Sequence, residues 1–223
     1  MPPCFRLFVL QQQAGDNMKD YKTVKTESHD EFTEKRSRFI GYVKPVKTED
    51  EATGFISSIR SKHWDARHNV YAYSLREGNI KRYSDDGEPS GTAGMPVLDV
   101  ITKNEVYDVC VVVTRYFGGV LLGTGGLVRA YSQGAKLALE AGQIVTMESC
   151  LVCSLGCSYN QYGKASSLIL ESGGAVDDTV FEADVTIKFH IKPCYFDALN
   201  KKLADSTSGE VQAISDGEQY YMS

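Results

Sequence analysis

The architecture of the first two thirds of the chain follows from residues 108–131, DVCVVVTRYFGGVLLGTGGLVRAY. Residues 108–114 are almost all apolar, which is typical of a strand that is buried on both faces. Residues 117–126 contain five glycines and are predicted to form a loop. Residues 127–140 have the periodicity of a helix, which is predicted to stop at Gly142. A strand, a glycine-rich loop and a helix in this order can direct backbone N–H groups and the positive end of the helix at an anion.

Shorter patterns before this stretch complete the first part of the chain. Alternating apolar residues predict strands over 38–46 and 69–75, and a short apolar run predicts another strand over 97–102. Thr48 is predicted to cap a helix, because acidic residues follow it in the first turn and apolar residues then recur at helical spacing. Residues 84–96 contain three glycines and two prolines and are predicted to form a loop.

The last third of the chain predicts the order β-α-β-β-α-β, which is that of a ferredoxin-like unit. Its predicted strands cover 150–157, 175–181, 184–191 and about 210–214, and its predicted helices cover 160–172 and 193–205. The fold class is therefore α+β. We expect an N-terminal α/β domain over 18–145 and a ferredoxin-like domain over 149–221, with a linker around 142–149. Residues 1–17 are predicted to be a flexible extension, and Met18 would make a sensible natural start.

Composition excludes several classes of protein. With 42% hydrophobic and 24% charged residues among 223, the chain is not wholly disordered. Its net charge of −5, all of it in residues 151–223, excludes a generally basic nucleic-acid coat protein but allows a local basic patch. No run approaches the roughly 20 apolar residues of a membrane-spanning helix, so no membrane association is expected. Six irregularly spaced cysteines indicate reduced thiols and a cytoplasmic location, and Cys150, Cys153 and Cys157 are predicted to be buried free thiols.

Two arginines, Arg115 and Arg129, lie on either side of the glycine-rich loop and can add charge-assisted bonds to a phosphate. The loop matches no nucleotide fingerprint. Thr124 and Gly125 follow Gly123 where a Walker motif requires Lys and then Ser or Thr, and the third glycine of the dinucleotide motif is missing. A bound nucleotide is therefore disfavoured, and two other interpretations stay open. The loop either makes tight turns around a packed core or docks a larger phosphate-bearing or protein partner. No cofactor and no metal ion are expected.

An acidic loop carries Asp85, Asp86 and Glu88 within four residues. We favour a solvated turn in which the carboxylates accept hydrogen bonds from backbone N–H groups. The alternative is cation binding or acid–base chemistry. In that case His68 would act as a base oriented by Glu88 or Asp86, which defines an enzymatic alternative. His63 and His68 are five residues apart, which disfavours a zinc pair on a helix.

Residues 60–82 form the most basic and aromatic stretch, with six Lys or Arg against two Asp or Glu, together with Trp64, Tyr71 and Tyr73. Such a stretch can face phosphates and stack on bases. The alternative is an ordinary helix end with a tryptophan that fills the core.

These motifs together closely resemble the YigZ/IMPACT family over about residues 21–145. The runs that carry the resemblance are SRFIGYVKPV, HWDARHNVYAY, SDDGEPSGTAGMPVLDV and VVVTRYFGG followed by LGTGGLVRAY. The last third resembles the small C-terminal domain of bacterial members. One departure is visible at Val120 and Leu121, where the family usually shows a hydrophobic residue and then Lys. The change removes a cation from the glycine-rich loop.

The resemblance implies both a fold and a role in translation. It implies a first domain with a left-handed βαβ arrangement, similar to a small-subunit ribosomal protein and to a domain of elongation factor G. It implies a second domain similar to the ferredoxin-like one that follows in that factor. Eukaryotic IMPACT is a translation regulator that competes for a ribosome-associated activator of a starvation-responsive kinase. A translation-associated role is therefore the leading expectation for this chain.

The leading hypothesis is a cytosolic, non-enzymatic protein that binds structured RNA, the ribosome or a translation-associated protein, without sequence-specific DNA binding. The side chains expected to make contacts are Arg67, His68, Arg115 and Arg129. The glycines expected to shape the surface are Gly91, Gly94, Gly118, Gly119, Gly125 and Gly126. Two alternatives stay open: a hydrolase or transferase acting on a phosphorylated metabolite through His68, Asp86 and Glu88, and a protein-interaction module that does not bind RNA.

Overall fold

A computed structural model describes residues 19–223, which form ten strands and five α-helices. The strands are β1 Tyr21–Val24, β2 Ser28–Glu34, β3 Ser37–Pro45, β4 His68–Leu75, β5 Ile80–Ser84, β6 Val109–Tyr116, β7 Ile144–Cys157, β8 Ala175–Phe181, β9 Val185–Ile191 and β10 Ala213–Met222. The helices are α1 Glu49–Lys62, α2 Gly94–Lys103, α3 Thr124–Gly142, α4 Tyr159–Glu171 and α5 Pro193–Thr207. The expected flexible extension over 1–17 lies outside the described residues.

Strand β6 is the centre of the first sheet, whose order is β2-β3-β6-β4-β5. Both β3 and β4 pair antiparallel with β6, so they run parallel to each other and α1 joins them as a βαβ unit. Alternate residues of β6 face opposite cores, because Val111 and Val113 pack under α2 and α3 while Cys110 and Val112 pack under α1. The prediction of a strand buried on both faces is therefore confirmed.

Helix α1 begins where the sequence predicts. The Thr48 side chain accepts a hydrogen bond from the backbone N–H of Glu51 at 3.2 Å and so caps the first turn. Helix α3 lies unusually close to the sheet, because Gly134 meets Gly41 of β3 backbone to backbone. A Cβ built on Gly41 would collide with the carbonyl oxygen of Gly134.

The prediction of a strand over 97–102 is wrong, since these residues belong to helix α2. Its buried positions Gly94, Val97 and Ile101 recur every three or four residues, which is helical spacing. Pro96 lies in the first turn, where its missing N–H costs no hydrogen bond. The β-branched residues of this run favoured a strand, but burial of one helical face against the core outweighed that local preference.

The β-α-β-β-α-β order of the last third is confirmed, and the fold class is α+β. The second sheet has the order β1-β7-β9-β8, and β10 pairs with the other edge of β7. Residues 142–149, predicted to be a linker, instead contain the end of α3 and the first six residues of β7. The correction follows from β1, which pairs with β7 over 144–147 and extends the second sheet. The domain bounds 18–145 and 149–221 stay a prediction.

Arg76 joins the two sheets at their boundary. Its guanidinium donates to the Asp108 carboxylate at 2.7 Å and lies over the rings of Tyr21 and Tyr220. These contacts connect the first sheet to β1 and β10 of the second. Among residues 19–223, no helix is both long and apolar enough to cross a membrane.

Candidate functional site

A cavity of about 450 Å³ opens beside the glycine-rich loop of the first sheet. Its polar lining comes from four segments of the chain: Arg67 with His68, Glu88, Arg115 and Thr124. Its apolar lining comes from Phe117, Leu121, Leu122 and Leu127. The register of β4 and β6 places His68 directly opposite Arg115, and the loop after β5 brings in Glu88. The sheet therefore assembles residues that lie far apart along the chain.

Glu88 is the centre of a buried polar cluster. Its Oε1 accepts hydrogen bonds from Arg115 Nη1 at 2.6 Å and from the Tyr131 hydroxyl at 2.8 Å. The side chains of Glu88 and Arg115 are each only 5% exposed. Burial, together with the charge of Glu88, raises the pKa of Tyr131 far above its ordinary value, so this hydroxyl stays protonated and donates. The positive charge of Arg115 is thus neutralised within the protein.

His68 presents one nitrogen toward this cluster. Its Nδ1 lies 2.8 Å from the backbone carbonyl oxygen of Asp86 and must donate to it, because a carbonyl can only accept. The neutral ring therefore carries its proton on Nδ1 and leaves Nε2 as an acceptor. Nε2 lies 3.8 Å from Glu88 Oε1. His68, Glu88 and Arg115 therefore meet in space, whereas the Asp86 side chain does not face the His68 ring nitrogens.

The acidic loop otherwise behaves as the favoured interpretation predicts. Asp85 accepts hydrogen bonds from the backbone N–H groups of Gly91, Ala93 and Gly94 and so holds the start of α2. Asp86 accepts from the backbone N–H of Asn69 and from a guanidinium nitrogen of Arg60, at 2.7 and 2.6 Å. Two of the three carboxylates therefore stabilise backbone turns. Glu88 alone faces the cavity.

The glycine-rich loop exposes backbone near the cavity. Gly118 packs directly on the backbone of Arg36, where any side chain would collide. Gly119 and Gly123 have positive φ angles of 82° and 72°, a conformation that glycine adopts readily. No side chain caps the first turn of α3, which begins after Gly123. Added Cβ atoms at Gly119, Gly123 and Gly125 would meet nothing within 4 Å, so a ligand can approach this part of the loop closely.

The predicted contact residues divide between two places. Arg67 and Arg115 share the cavity with His68, but Arg129 lines a neighbouring depression together with Lys35 and Gly126. Leu122 lines both and separates them. Because Arg115 is bound to Glu88, a surface of three free arginines does not form.

Sequence reasoning missed several residues of the site. Lys35 and Arg36 form the turn between β2 and β3, a hairpin that the sequence patterns do not predict. The sequence pattern places Tyr131 only within a helix, although its hydroxyl donates a hydrogen bond to Glu88. The strand before Lys35, SHDEFTE, contains one apolar residue, Phe32, so the hairpin has no clear alternating pattern in the sequence. No local signal could have found the Tyr131 contact, because it joins positions 43 apart.

Trp64 is 84% exposed and does not fill the core. Its neighbour His63 is buried instead, with its ring nitrogens 2.6 Å from the Tyr42 hydroxyl and 2.9 Å from the Tyr116 hydroxyl. Burial and the nearby charge of Lys62 lower the pKa of His63. The basic and aromatic stretch over 60–82 is therefore not one exposed surface, because His63 is buried and Arg76 pairs with Asp108, whereas Trp64 is exposed.

The predicted buried thiols are confirmed. Cys150, Cys153 and Cys157 on β7 are all buried and free. Burial raises the pKa of Cys153 to about 11, so it is a neutral thiol near pH 7.

Comparison with known proteins identifies the family. The model of the Impact N-terminal domain matches residues 35–139, and that of a domain of unknown function, DUF1949, matches residues 155–210. The IMPACT family member YvyE of Bacillus subtilis is 35% identical over 206 residues, which is 92% of this chain and 94% of that protein. The chain belongs to the IMPACT family.

Further likenesses support this assignment to the IMPACT family. The family member YigZ of Escherichia coli is 34% identical over 186 residues, covering 81% of this chain and 90% of that protein. A crystal structure described as that of a hypothetical protein superposes with a TM-score of 0.57 at 31% identity, covering 89% of this chain and 98% of that one. The predicted resemblance is therefore confirmed.

Proposed function

We propose that this IMPACT family member is a cytosolic, non-enzymatic protein that binds structured RNA of the translation machinery. The binding surface is the glycine-loop face, which comprises residues 117–126 (the glycine-rich loop and the start of α3) and four surrounding cations. These cations are Lys35, Arg36, Arg67 and Arg129. All four are exposed, and none forms an ion pair within residues 19–223. That observation carries the proposal, because unpaired cations around open backbone suit a phosphate chain.

Exposed aromatic side chains add a second reason. The Trp64 indole is available for stacking and lies in the loop that holds Arg67. Asp65 of the same loop accepts a hydrogen bond from Tyr116 at 3.0 Å, and Phe117 follows at the start of the glycine-rich loop. Aromatic rings beside free cations are the usual elements of single-strand RNA binding, where stacking on a base contributes about 1–3 kcal/mol.

The distribution of charge favours the same face. Residues 151–223 carry the entire net charge of −5, so this part of the chain would repel phosphates. A partner with a phosphate backbone would therefore approach from the first sheet. The translation-associated role that family resemblance implies is consistent with such a partner.

Salt dependence tests the proposal. Ribosome co-sedimentation and fluorescence anisotropy with a labelled RNA hairpin are measured between low and physiological salt. The affinity should fall steeply with salt, and replacing Arg67 or Arg129 with Ala should reduce the logarithmic salt slope by about 1 each. Lys201→Ala removes an exposed cation from α5 and is the matched control, which should behave as wild type.

Two results would overturn this function. Absence of RNA and ribosome binding at low salt contradicts it directly. Co-purification with a protein partner that survives nuclease treatment and ignores salt would instead establish a protein-interaction module.

One observation favours an enzymatic alternative, a hydrolase or transferase for phosphorylated metabolites. His68 Nε2 lies 3.8 Å from Glu88, so the cavity holds a potential base beside a carboxylate. However, Glu88 Oε1 already accepts two hydrogen bonds, from Arg115 and Tyr131, and is therefore occupied rather than free to orient His68. Product formation in a screen of phosphorylated metabolites, abolished by His68→Ala, would establish the enzyme.

A further inference from the structure

We propose that the cavity binds one guanine nucleotide, either free or as an unpaired nucleotide of an RNA; the RNA source rests on the proposed function. A volume of about 450 Å³ lies within the range of ordinary small-molecule sites. The apolar side chains Phe117, Leu121, Leu122 and Leu127 form walls on which a flat aromatic ring can pack. The polar groups then determine which base is accepted.

Two hydrogen-bond acceptors face this cavity without an adequate donor. Glu88 lines it, and although Oε1 accepts from two donors, Oε2 has no hydrogen-bond partner within residues 19–223. His68 lines it as well, and Nε2 of its neutral ring is an acceptor, because Nδ1 donates to the Asp86 carbonyl oxygen. Two neighbouring acceptors, one on a side chain that is 95% buried, suit a ligand edge that presents two adjacent donors.

Guanine is the base with such an edge. Its N1–H and N2 amino group are adjacent donors, whereas adenine and cytosine offer one amino donor beside an acceptor, and uracil offers one N–H between two carbonyls. Arg115 adds a further match, because its buried Nε–H has no partner within the described residues. The O6 carbonyl of guanine, next to N1–H, is an acceptor of the kind this donor lacks.

The phosphate would lie at the opening of the cavity. Gly123 and Thr124 line it at the start of α3, a helix of 19 residues whose first N–H groups have no side-chain cap. The positive end of a helix favours a phosphate there. Arg67 lines the same cavity and is free to add a charge-assisted bond. Base and phosphate are thereby both accommodated.

Calorimetric titration with GMP, IMP and AMP tests the inference on the full chain. GMP should bind at least tenfold more tightly than IMP, which lacks only the N2 amino group, and than AMP. Leu121→Glu tests the location, since it puts a negative charge on a wall residue that is 83% exposed and need not disturb folding. It should weaken GMP binding more than tenfold. Leu170→Glu, at an exposed position on α4, is the matched control and should bind GMP as wild type.

Short RNAs that differ only in one unpaired G or A identify the source of the nucleotide. Tighter binding of the G-containing RNA supports the inference with RNA as the source. GMP binding without any RNA binding also supports it, with a free nucleotide as the source, and contradicts the proposed function. RNA binding that ignores the base together with equal affinity for GMP and AMP, or no binding of GMP or of either RNA, would overturn the inference. RNA binding without base preference would leave the proposed function standing.

Discussion

Replacing Arg115 with Met should destabilise the protein more than almost any other single change on the first sheet. The substitution keeps an unbranched chain of similar length but removes the cation 2.6 Å from Glu88. Glu88 would then remain 95% buried with the Tyr131 hydroxyl as its one donor. Breaking a buried ion pair by removing one partner costs about 3–5 kcal/mol, because the remaining charge is largely shielded from solvent and has no counter-charge.

Urea-induced unfolding at pH 7 measures this cost. Since small domains are stable by only about 5–15 kcal/mol, the midpoint should shift visibly. The double variant Arg115→Met with Glu88→Gln should recover much of the loss, since no uncompensated charge remains buried. The same substitution at Arg38, which pairs with Glu31 on the exposed side of β3, is the control and should change the midpoint far less.

Two outcomes would refute the reasoning. If Arg115→Met unfolds within about 1 kcal/mol of wild type, the Glu88 pair does not have the energetic importance that its burial indicates. If the double variant loses as much as the two single variants together, the side chains are not coupled.

Three further predictions concern the fold. Gly41→Ala should cost about 1–3 kcal/mol in urea unfolding, because a methyl group there displaces the backbone of α3; wild-type stability would contradict the close contact. Thr48→Ala should cost about 1 kcal/mol through the lost helix cap, whereas Thr48→Ser should cost little. Because the pKa of His63 is lowered in the folded protein, His63 becomes protonated in the unfolded chain, as pH falls through about 6.5, before it does in the folded one. The free energy of unfolding should therefore decrease below that pH, and less so in His63→Gln; an equal decrease in both would exclude His63 as the cause.

Local patterns were sufficient to predict much of the fold. The apolar run of β6, the cap at Thr48 and the order of the last third were predicted because each depends on residues close in sequence. The run at 97–102 was assigned wrongly, because six apolar-rich residues fit a strand and a buried helix face equally well. Only the tertiary environment distinguishes the two.

The candidate site was predictable by residue type but not by role. His68, Glu88 and Arg115 were all singled out, yet their meeting depends on the register between β4 and β6 and on where the acidic loop folds back. The sequence suggests that Arg115 is free to contact a partner, but in the structure Glu88 neutralises its charge. A pairing over 27 positions has no local signature, so the ligand-facing groups could be identified only in the folded protein.

The pairing of β1 with β7 limits where the chain could be separated into two independent domains. A fragment that stopped at Gly142 would keep every strand of the first sheet, but Tyr21–Val24 would lose its partner strand. The backbone groups of this strand that face β7 would then lose their partners along an open edge, which favours self-association. The Arg76 side chain would also lose the ring of Tyr220 from its aromatic enclosure. Any ancestor that dispensed with the second sheet must therefore have shielded this edge by other means.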